Sequence, residues 1–170
     1  PTINVYENSP TFNLLLADNG THAFGNLLIN STQQLILRVR NEGTSSLTIT
    51  STSLTTSDFS LVSSPSSPIA SGSYSDFTIA VNTSTSGAKA ADLNIVNSDP
   101  ATGKSPYTIH LTANIQTPTI NVYENSPTFN LLLADEGTHA FGNLLINSTQ
   151  QLILRVKNEG TSSLTITSTS

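Results

Sequence analysis

Apolar and polar side chains alternate in several short segments of the chain. Successive side chains of a β-strand point to opposite faces, so this alternation predicts strands with one buried face. In the segment 35–40, Leu35, Leu37 and Val39 would face a core, while Arg38 and Arg40 would face solvent. The same pattern occurs at 47–50, 77–81, 93–95 and 109–113.

Turn-forming residues separate these segments. They are Asn19-Gly20, Glu42-Gly43, the run 65–68, Ser71-Gly72, Ser86-Gly87 and Asp99-Pro100. No stretch carries an apolar stripe at helical spacing, and the many β-branched residues disfavour helix. Seven to nine short strands in about 115 residues predict an all-β, immunoglobulin-like β-sandwich.

The sequence repeats itself with an offset of 117 residues. Residues 1–53 match 118–170 at all but two positions, where Asn19 is replaced by Glu136 and Arg40 by Lys157. Surface Ser, Thr and Asn are retained along with the apolar residues, which is typical of recent duplication within a tandem array. We therefore expect a complete sandwich at 1–117 and the N-terminal part of a second, near-identical repeat at 118–170.

The junction between the two copies contains no flexible linker. It runs through 113–120 without a Gly/Ser tract, and Pro118 restricts its own backbone and that of Thr117. Stiff coupling of successive repeats follows as an expectation. Residues 118–170 should lack the later strands of a sandwich and so expose an open edge and an uncovered face.

Short motifs follow one another within the unit in a distinctive order. They are Phe24-Gly25, the run 39–49, Asp58-Phe59-Ser60, 69–72, 77–81, Gly87, 93–95, Asn97-Ser98-Asp99-Pro100 and 107–111. This order resembles that of ASH-like domains, the immunoglobulin-like modules of choice-of-anchor D proteins and of their ciliary and centrosomal relatives. The chain departs from the family at 82–84, where Asn-Thr-Ser replaces a frequent proline. The resemblance implies a non-enzymatic module, repeated in large secreted or surface-anchored proteins of bacteria and archaea.

Composition excludes several other classes. Six basic residues against 11 acidic ones, with a net charge of −5, disfavour nucleic-acid binding. Without Cys there is neither a disulfide nor a thiolate metal site, and no apolar run approaches the roughly 20 residues of a membrane span. Ser and Thr together account for 50 of the 170 residues, which keeps the surface polar without charge and suits an extracellular or cell-surface location.

Candidate catalytic and metal-binding residues are few. His22, its copy His139, and His110 are not spaced from a second ligand as metal sites require, so surface or turn histidines are expected. No nucleophile elbow is present to support a serine triad. Asp18 and Asp99 each stand alone in a turn, which favours turn formation over calcium binding. The sequence thus predicts no enzyme activity, cofactor or metal.

Two covalent modifications have candidate residues in the sequence. A Lys–Asn isopeptide crosslink through Lys89 or Lys104 is disfavoured, because both lysines are expected in solvated positions. Glycosylation has better support, since sequons begin at Asn19, Asn30, Asn82 and Asn147 and the Ser/Pro run 63–68 resembles an O-glycosylated segment. Glu136 removes the first sequon from the second copy.

Two functions remain open. The favoured one is a structural segment of a stalk, filament or sheath in a long surface protein, with neighbouring repeats as partners and neighbouring chains as further partners through strand complementation or lateral packing. The alternative is a multivalent adhesin whose end loops bind glycan or protein. Sugar sites usually display exposed aromatic rings, whereas Tyr6, Tyr74 and Tyr107 are expected at strand ends, capping the core. This favours the structural function.

Overall fold

The chain folds into two compact units, Pro1–Ile115 and Gln116–Ser170. The structure is a computed structural model and describes residues 1–8, 11–125 and 128–168. Within these residues the secondary structure is entirely β. None of them belongs to a helix that could cross a lipid bilayer.

The first unit is an immunoglobulin-like β-sandwich of nine strands. One sheet has the order β2-β1-β4-β7-β6, and the other has the order β3-β9-β8-β5. The strands are β1 (Ile3–Glu7), β2 (Leu14–Leu16), β3 (Gly20–Leu28), β4 (Gln34–Asn41), β5 (Ile49–Leu54), β6 (Phe59–Ser63), β7 (Tyr74–Val81), β8 (Gly87–Asn97) and β9 (Tyr107–Gln116). All the paired strands with an assigned register are antiparallel.

The core lies between the two sheets and is formed by the alternate residues of their inner faces. Leu37, Phe77 and Ile79 from the five-stranded sheet and Leu93 and Ile109 from the four-stranded sheet are all essentially inaccessible to water. Each such side chain contributes about 1.5–3 kcal/mol through its burial. The alternation in the sequence therefore translates directly into the two-layer architecture.

A buried asparagine stabilises the end of the sandwich at which β1 begins. The Asn41 side chain is fully buried, and its amide group donates to the carbonyl oxygens of Ser45 at 2.8 Å and Ile69 at 3.0 Å. Its oxygen accepts from the N–H groups of Thr2 at 3.2 Å and Gly43 at 3.1 Å. All its hydrogen-bonding capacity is used, so this asparagine is buried without an unpaired group.

Gly43 is required by a close approach of two backbone segments. A Cβ atom at this position would lie 2.5 Å from the backbone nitrogen of Thr2 and 2.6 Å from the carbonyl carbon of Pro1. This contact and the hydrogen bonds of Asn41 account for the Asn-Glu-Gly sequence at the end of strand β4.

The backbone enters the first unit at one end of the sandwich and leaves it at the opposite end. The Ile3 N–H donates to the buried carboxylate of Asp99 at 2.9 Å, in the loop that precedes β9. At the far end of β9, Ile115 pairs with Gly87. The ten residues of β9 lie between these points, a distance of about 30 Å at roughly 3.3 Å per residue.

The second unit contains a single three-stranded sheet with the order β11-β10-β12. Its strands are β10 (Ile120–Glu124), β11 (Leu131–Leu133) and β12 (Leu154–Asn158). The register of β10 with β12 pairs Val122 with Val156, and this reproduces the pairing of Val5 with Val39 in the first unit.

One face of this second sheet is not covered by a partner sheet. Ile120 and Leu154 are 52% and 46% exposed, whereas their counterparts Ile3 and Leu37 are fully buried. An open cavity of about 680 Å³ lies against β10 and β11. The apolar side of β10 and β12 is therefore open to solvent.

Most of the strands predicted from alternation are present, with shifted boundaries. The segments 35–40, 77–81, 93–95 and 109–113 lie inside β4, β7, β8 and β9. The segment 47–50 is only partly a strand, because Leu47 forms an isolated bridge with Ile69 and β5 begins at Ile49.

Candidate functional site

The outer face of the five-stranded sheet carries a cluster of aromatic and charged side chains. The strand registers place Tyr6 on β1 opposite Arg38 on β4, and Arg38 opposite Asp76 on β7. In the next outward-facing pair of these two strands, two residues away, Arg40 is opposite Tyr74. Period-two alternation puts all of these residues on the face away from the core.

Arg38 is stacked between two aromatic rings. Its guanidinium carbon lies 3.6 Å from the ring centroid of Tyr74 and 3.9 Å from that of Phe12. Both distances are typical of cation–π contacts. Asp76 accepts from Nε at 2.7 Å and from Nη2 at 2.8 Å. This two-point hydrogen bond raises the pKa of Arg38 further above its ordinary value.

Phe12 holds its ring over Arg38 from an uncommon backbone conformation. Its φ angle is +53°, in the left-handed region that costs a non-glycine residue about 1–2 kcal/mol. Phe129 repeats this angle at +51°, and its ring covers Arg155 at 4.1 Å. The stacking of phenylalanine on arginine is therefore a feature of both units.

Glu42 connects the outward-facing residues of β1 and β4. Its carboxylate accepts from the Tyr6 hydroxyl at 2.7 Å and from the Asn4 amide at 2.7 Å, and it lies 3.9 Å from Arg40. The Tyr6 hydrogen bond is the main reason why the pKa of Glu42 is lowered, with the Asn4 bond adding to it. The same bond raises the pKa of Tyr6.

These residues surround an open groove of about 290 Å³, called here the outer groove. Its lining consists of Tyr6, Phe12, Arg38, Arg40, Gly72 and Tyr74. Tyr74 is 56% exposed. The outer groove therefore presents aromatic surface and planar hydrogen-bonding groups to solvent.

The prediction that the tyrosines cap the core is correct for one of the three. Tyr107 is 1% exposed, and its hydroxyl donates to the Leu16 carbonyl oxygen. Tyr6 and Tyr74 instead belong to the outer groove. Their strands carry apolar residues at alternate positions, so the parity of the strand register could have placed both tyrosines outside.

His22 and its copy His139 are not free surface or turn histidines. His22 lies within β3, its Nδ1 atom contacts the carboxylate of Glu7, and its ring meets Phe24 edge-on at 4.6 Å. His139 contacts Glu124 in the same way. The sequence gives little sign of these pairs, because the partners are 15 residues apart.

His110 occupies the position that alternation predicts. It lies between the buried residues Ile109 and Leu111 and is 43% exposed in its side chain. Its Nδ1 atom lies 2.7 Å from the Asp92 carboxylate on the neighbouring strand β8. This is an exposed cross-strand pair.

The expectation of a solvated Lys89 is wrong. Lys89 is 9% exposed, and its ammonium group lies 3.3 Å from the Asp58 carboxylate and 2.7 Å from the Thr85 hydroxyl. Strand β8 begins at Gly87, so Lys89 lies inside it and its side chain turns inwards. Lys104 is half-buried, with its ammonium group 5.1 Å from the Tyr107 ring centroid.

The two acidic turns use their carboxylates to bind backbone. Asp18 accepts from the Thr108 N–H at 2.8 Å. Asp99 accepts from the N–H groups of Ile3 at 2.9 Å and Ala101 at 3.0 Å. Among the described residues there is no group of three or more His, Asp or Glu side chains that could hold a metal ion.

All four sequon asparagines are exposed. Asn19, Asn30 and Asn147 have positive φ angles of 59°, 58° and 63° in turns, and the Asn82 side-chain oxygen accepts from the Ser84 hydroxyl at 2.7 Å. Glycosylation at these positions stays a prediction.

No family model and no curated protein matches the chain. Its fold is similar to that of a protein of unknown function from Porphyromonas gingivalis, with 20% identity and a TM-score of 0.50 over 66% of this chain and 46% of that one. The ASH/PapD-like domain 7 of human CEP192 also aligns, with 15% identity and a TM-score of 0.44 over 57% of this chain and 81% of that one. At such identities likeness concerns the fold alone, and the choice-of-anchor D interpretation stays a prediction.

Proposed function

We propose that the chain is a non-enzymatic structural repeat of a long extracellular surface protein, in which successive sandwiches form a stalk, filament or sheath. The main support is the path of the chain through the first unit. It enters beside Asp99 and leaves beside Gly87, at opposite ends of β9. A repeat with this path adds its own length to the protein each time it occurs.

The near-identity of the two copies supports the same function. The retained residues include those that bind only their own unit, such as Asn158 and Gly160, the counterparts of Asn41 and Gly43. The oxygen of Asn158 accepts from the Gly160 N–H at 3.0 Å, and its amide donates to the Ser162 carbonyl at 2.7 Å. A tandem array of near-identical units is what a stalk or filament built from repeated sandwiches requires.

Small-angle X-ray scattering from proteins of two, three and four complete units tests the proposal. Strands of six to ten residues with end loops give a unit about 40 Å long, so the maximum dimension should grow in equal steps of about 40 Å. Insertion of four glycines after Thr117 is the control. It should make this growth less than linear and leave the melting temperature of each unit nearly unchanged.

Sub-linear growth in the unmodified proteins would contradict a stiff stalk. It would favour the alternative, a multivalent adhesin whose repeats bind separately and gain avidity from their number. The outer groove supports a binding function, although it lies on a sheet face and not in the end loops.

A further inference from the structure

The outer groove combines surfaces that a structural strand face does not need. Elsewhere on the same face the exposed residues are mixed: Thr78, Ser60 and Ser63 are small and polar, whereas Leu15 and Ile36 are apolar and 46% and 41% exposed. At the groove the face has three aromatic rings and two guanidinium groups, and Tyr74 is more than half exposed. An exposed aromatic ring beside several hydrogen-bonding groups in one groove is a combination that binding sites use.

The charges of the groove cancel. Arg38 is bound by Asp76 at two points, and Arg40 lies near Glu42, so two positive and two negative groups share the site. A cationic ligand would meet two guanidinium groups. An anionic ligand would find Arg38 already paired with Asp76, and it would meet the Glu42 carboxylate near Arg40. The arrangement instead suits a neutral ligand that is rich in hydrogen-bonding groups.

The hydrogen-bonding groups beside the ring are planar and partly free. The Arg40 side chain is 50% exposed and its guanidinium is 3.9 Å from Glu42, too far for a direct hydrogen bond, so it retains donors. Glu42 is 34% exposed in its side chain and can accept further bonds. Hydroxyl groups that alternate donor and acceptor roles would satisfy both residues.

The site is organised before any ligand arrives. The rings of Phe12 and Tyr74 stack against the Arg38 guanidinium, which also donates to Asp76. The Tyr6 hydroxyl donates to Glu42. Preorganised side chains lose little conformational entropy on binding, so less of the binding free energy is spent on ordering them. The backbone strain at Phe12 is also of a kind that concentrates at functional sites.

We propose that the outer groove binds a single ring of a neutral polysaccharide, which stacks beside Tyr74 and forms hydrogen bonds with Arg40 and Glu42. A volume of about 290 Å³ lies at the lower limit for small-molecule sites, which leaves room for one sugar ring with its neighbours in solvent. This site is independent of the stalk proposal, because a stalk can carry a weak glycan site on its side.

Nuclear magnetic resonance of the full chain tests this proposal. The ¹⁵N-labelled protein is titrated with the methyl glycosides of glucose, galactose, mannose and N-acetylglucosamine, with methyl glucuronide as the charged comparison. At least one neutral glycoside should shift the amide signals of Arg38–Asn41 and Gly72–Asp76 with a dissociation constant of about 1–10 mM. The glucuronide should bind more weakly than that glycoside.

Two variants and an internal control locate the binding. Tyr74→Ala should weaken the affinity at least tenfold while the remaining amide spectrum stays native. Arg40→Lys, which introduces the residue that the second copy has at Lys157, should weaken it about threefold because an ammonium group lacks the planar fork of arginine. The signals of Tyr123 and Arg155 should not move, because residues 118–170 contain no counterparts of Gly72 and Tyr74.

The proposal is overturned by any of three results. One is the absence of shifts at the groove with all four neutral glycosides at concentrations of about 50 mM, well above the expected dissociation constant. Another is tighter binding of the glucuronide, which would make the groove an anion site. The third is equal affinity in the Tyr74→Ala variant. None of these results would alter the scattering from multi-unit proteins, so the stalk is tested separately.

Discussion

At the scale of single residues, a hydrogen bond from one buried tyrosine joins the two sheets. Tyr107 begins β9 in one sheet, and its hydroxyl donates to the carbonyl oxygen of Leu16 on β2 of the other. The ring is 1% exposed, and burial raises the pKa of Tyr107 to about 12. A single hydrogen bond thus links the two layers at a point that water does not reach.

The Tyr107→Phe substitution should destabilise the first unit by about 1–2 kcal/mol at neutral pH, because it leaves a buried carbonyl oxygen without its donor. The native pKa of about 12 exceeds the unfolded value of about 10, so the tyrosine's contribution is full below pH 10 and is lost as pH rises towards 12. Urea unfolding of both proteins across this range should show the difference between them shrinking with pH. A constant or widening difference would contradict this assignment.

At the scale of strands, the two copies of one sequence provide a matched comparison. Leu37 on β4 and Leu154 on β12 are equivalent residues in strands that differ only at Arg40 and Lys157, yet Leu37 is fully buried and Leu154 is 46% exposed. In the first unit β4 lies between β1 and β7, whereas β12 pairs only with β10 among the described residues. The environment, and not the sequence of the strand, sets the burial.

Leu37→Ala should therefore cost about 2–5 kcal/mol, the usual range for removing a fully buried leucine side chain. Leu154→Ala should cost less than about 1 kcal/mol, since solvent already reaches that side chain. The midpoint of the main denaturant transition of the full chain measures both. Equal shifts in the two variants would show that the second unit is covered after all.

The same comparison shows how far the strands could be predicted from the sequence. Strands β4, β7, β8 and β9 are long and alternate cleanly, so the pattern located each of them. Strand β2 has only three residues, and β3 places His22 and Phe24 at its half-buried positions, so neither shows a regular apolar pattern. Short or polar strands are defined by their partners, and the partners are distant in the chain.

The outer groove could not be predicted from the sequence, for a related reason. Tyr6, Arg38 and Tyr74 come together only through the pairing of β1 with β4 and of β4 with β7. Alternation could have placed each of them on an outer face. It could not have shown that the three strands are neighbours, because their order in the sheet depends on long-range pairing.

At the scale of the whole molecule, the chain contains two copies of the first half of a sandwich and one copy of the second half. Residues 54–117 supply strands β6 to β9 and only the last residue of β5, and these strands cover or extend the sheets begun by residues 1–53. Residues 118–170 differ from 1–53 at two positions only. The apolar face exposed on β10 and β12 therefore has the shape that residues 54–117 cover in the first unit.

Extending the chain by a second copy of residues 54–117 after Ser170 should complete the second sandwich. Calorimetric unfolding enthalpy scales at about 0.7 kcal/mol per residue near 60 °C, so the extended protein should show about twice the enthalpy of residues 1–117 alone. The unextended chain should stay close to the value for a single unit. In the extended protein Leu154 becomes a core residue, and Leu154→Ala should then cost as much as Leu37→Ala. An enthalpy that does not rise on extension, or a Leu154→Ala cost that stays small, would mean that the repeated sequence does not repeat the fold.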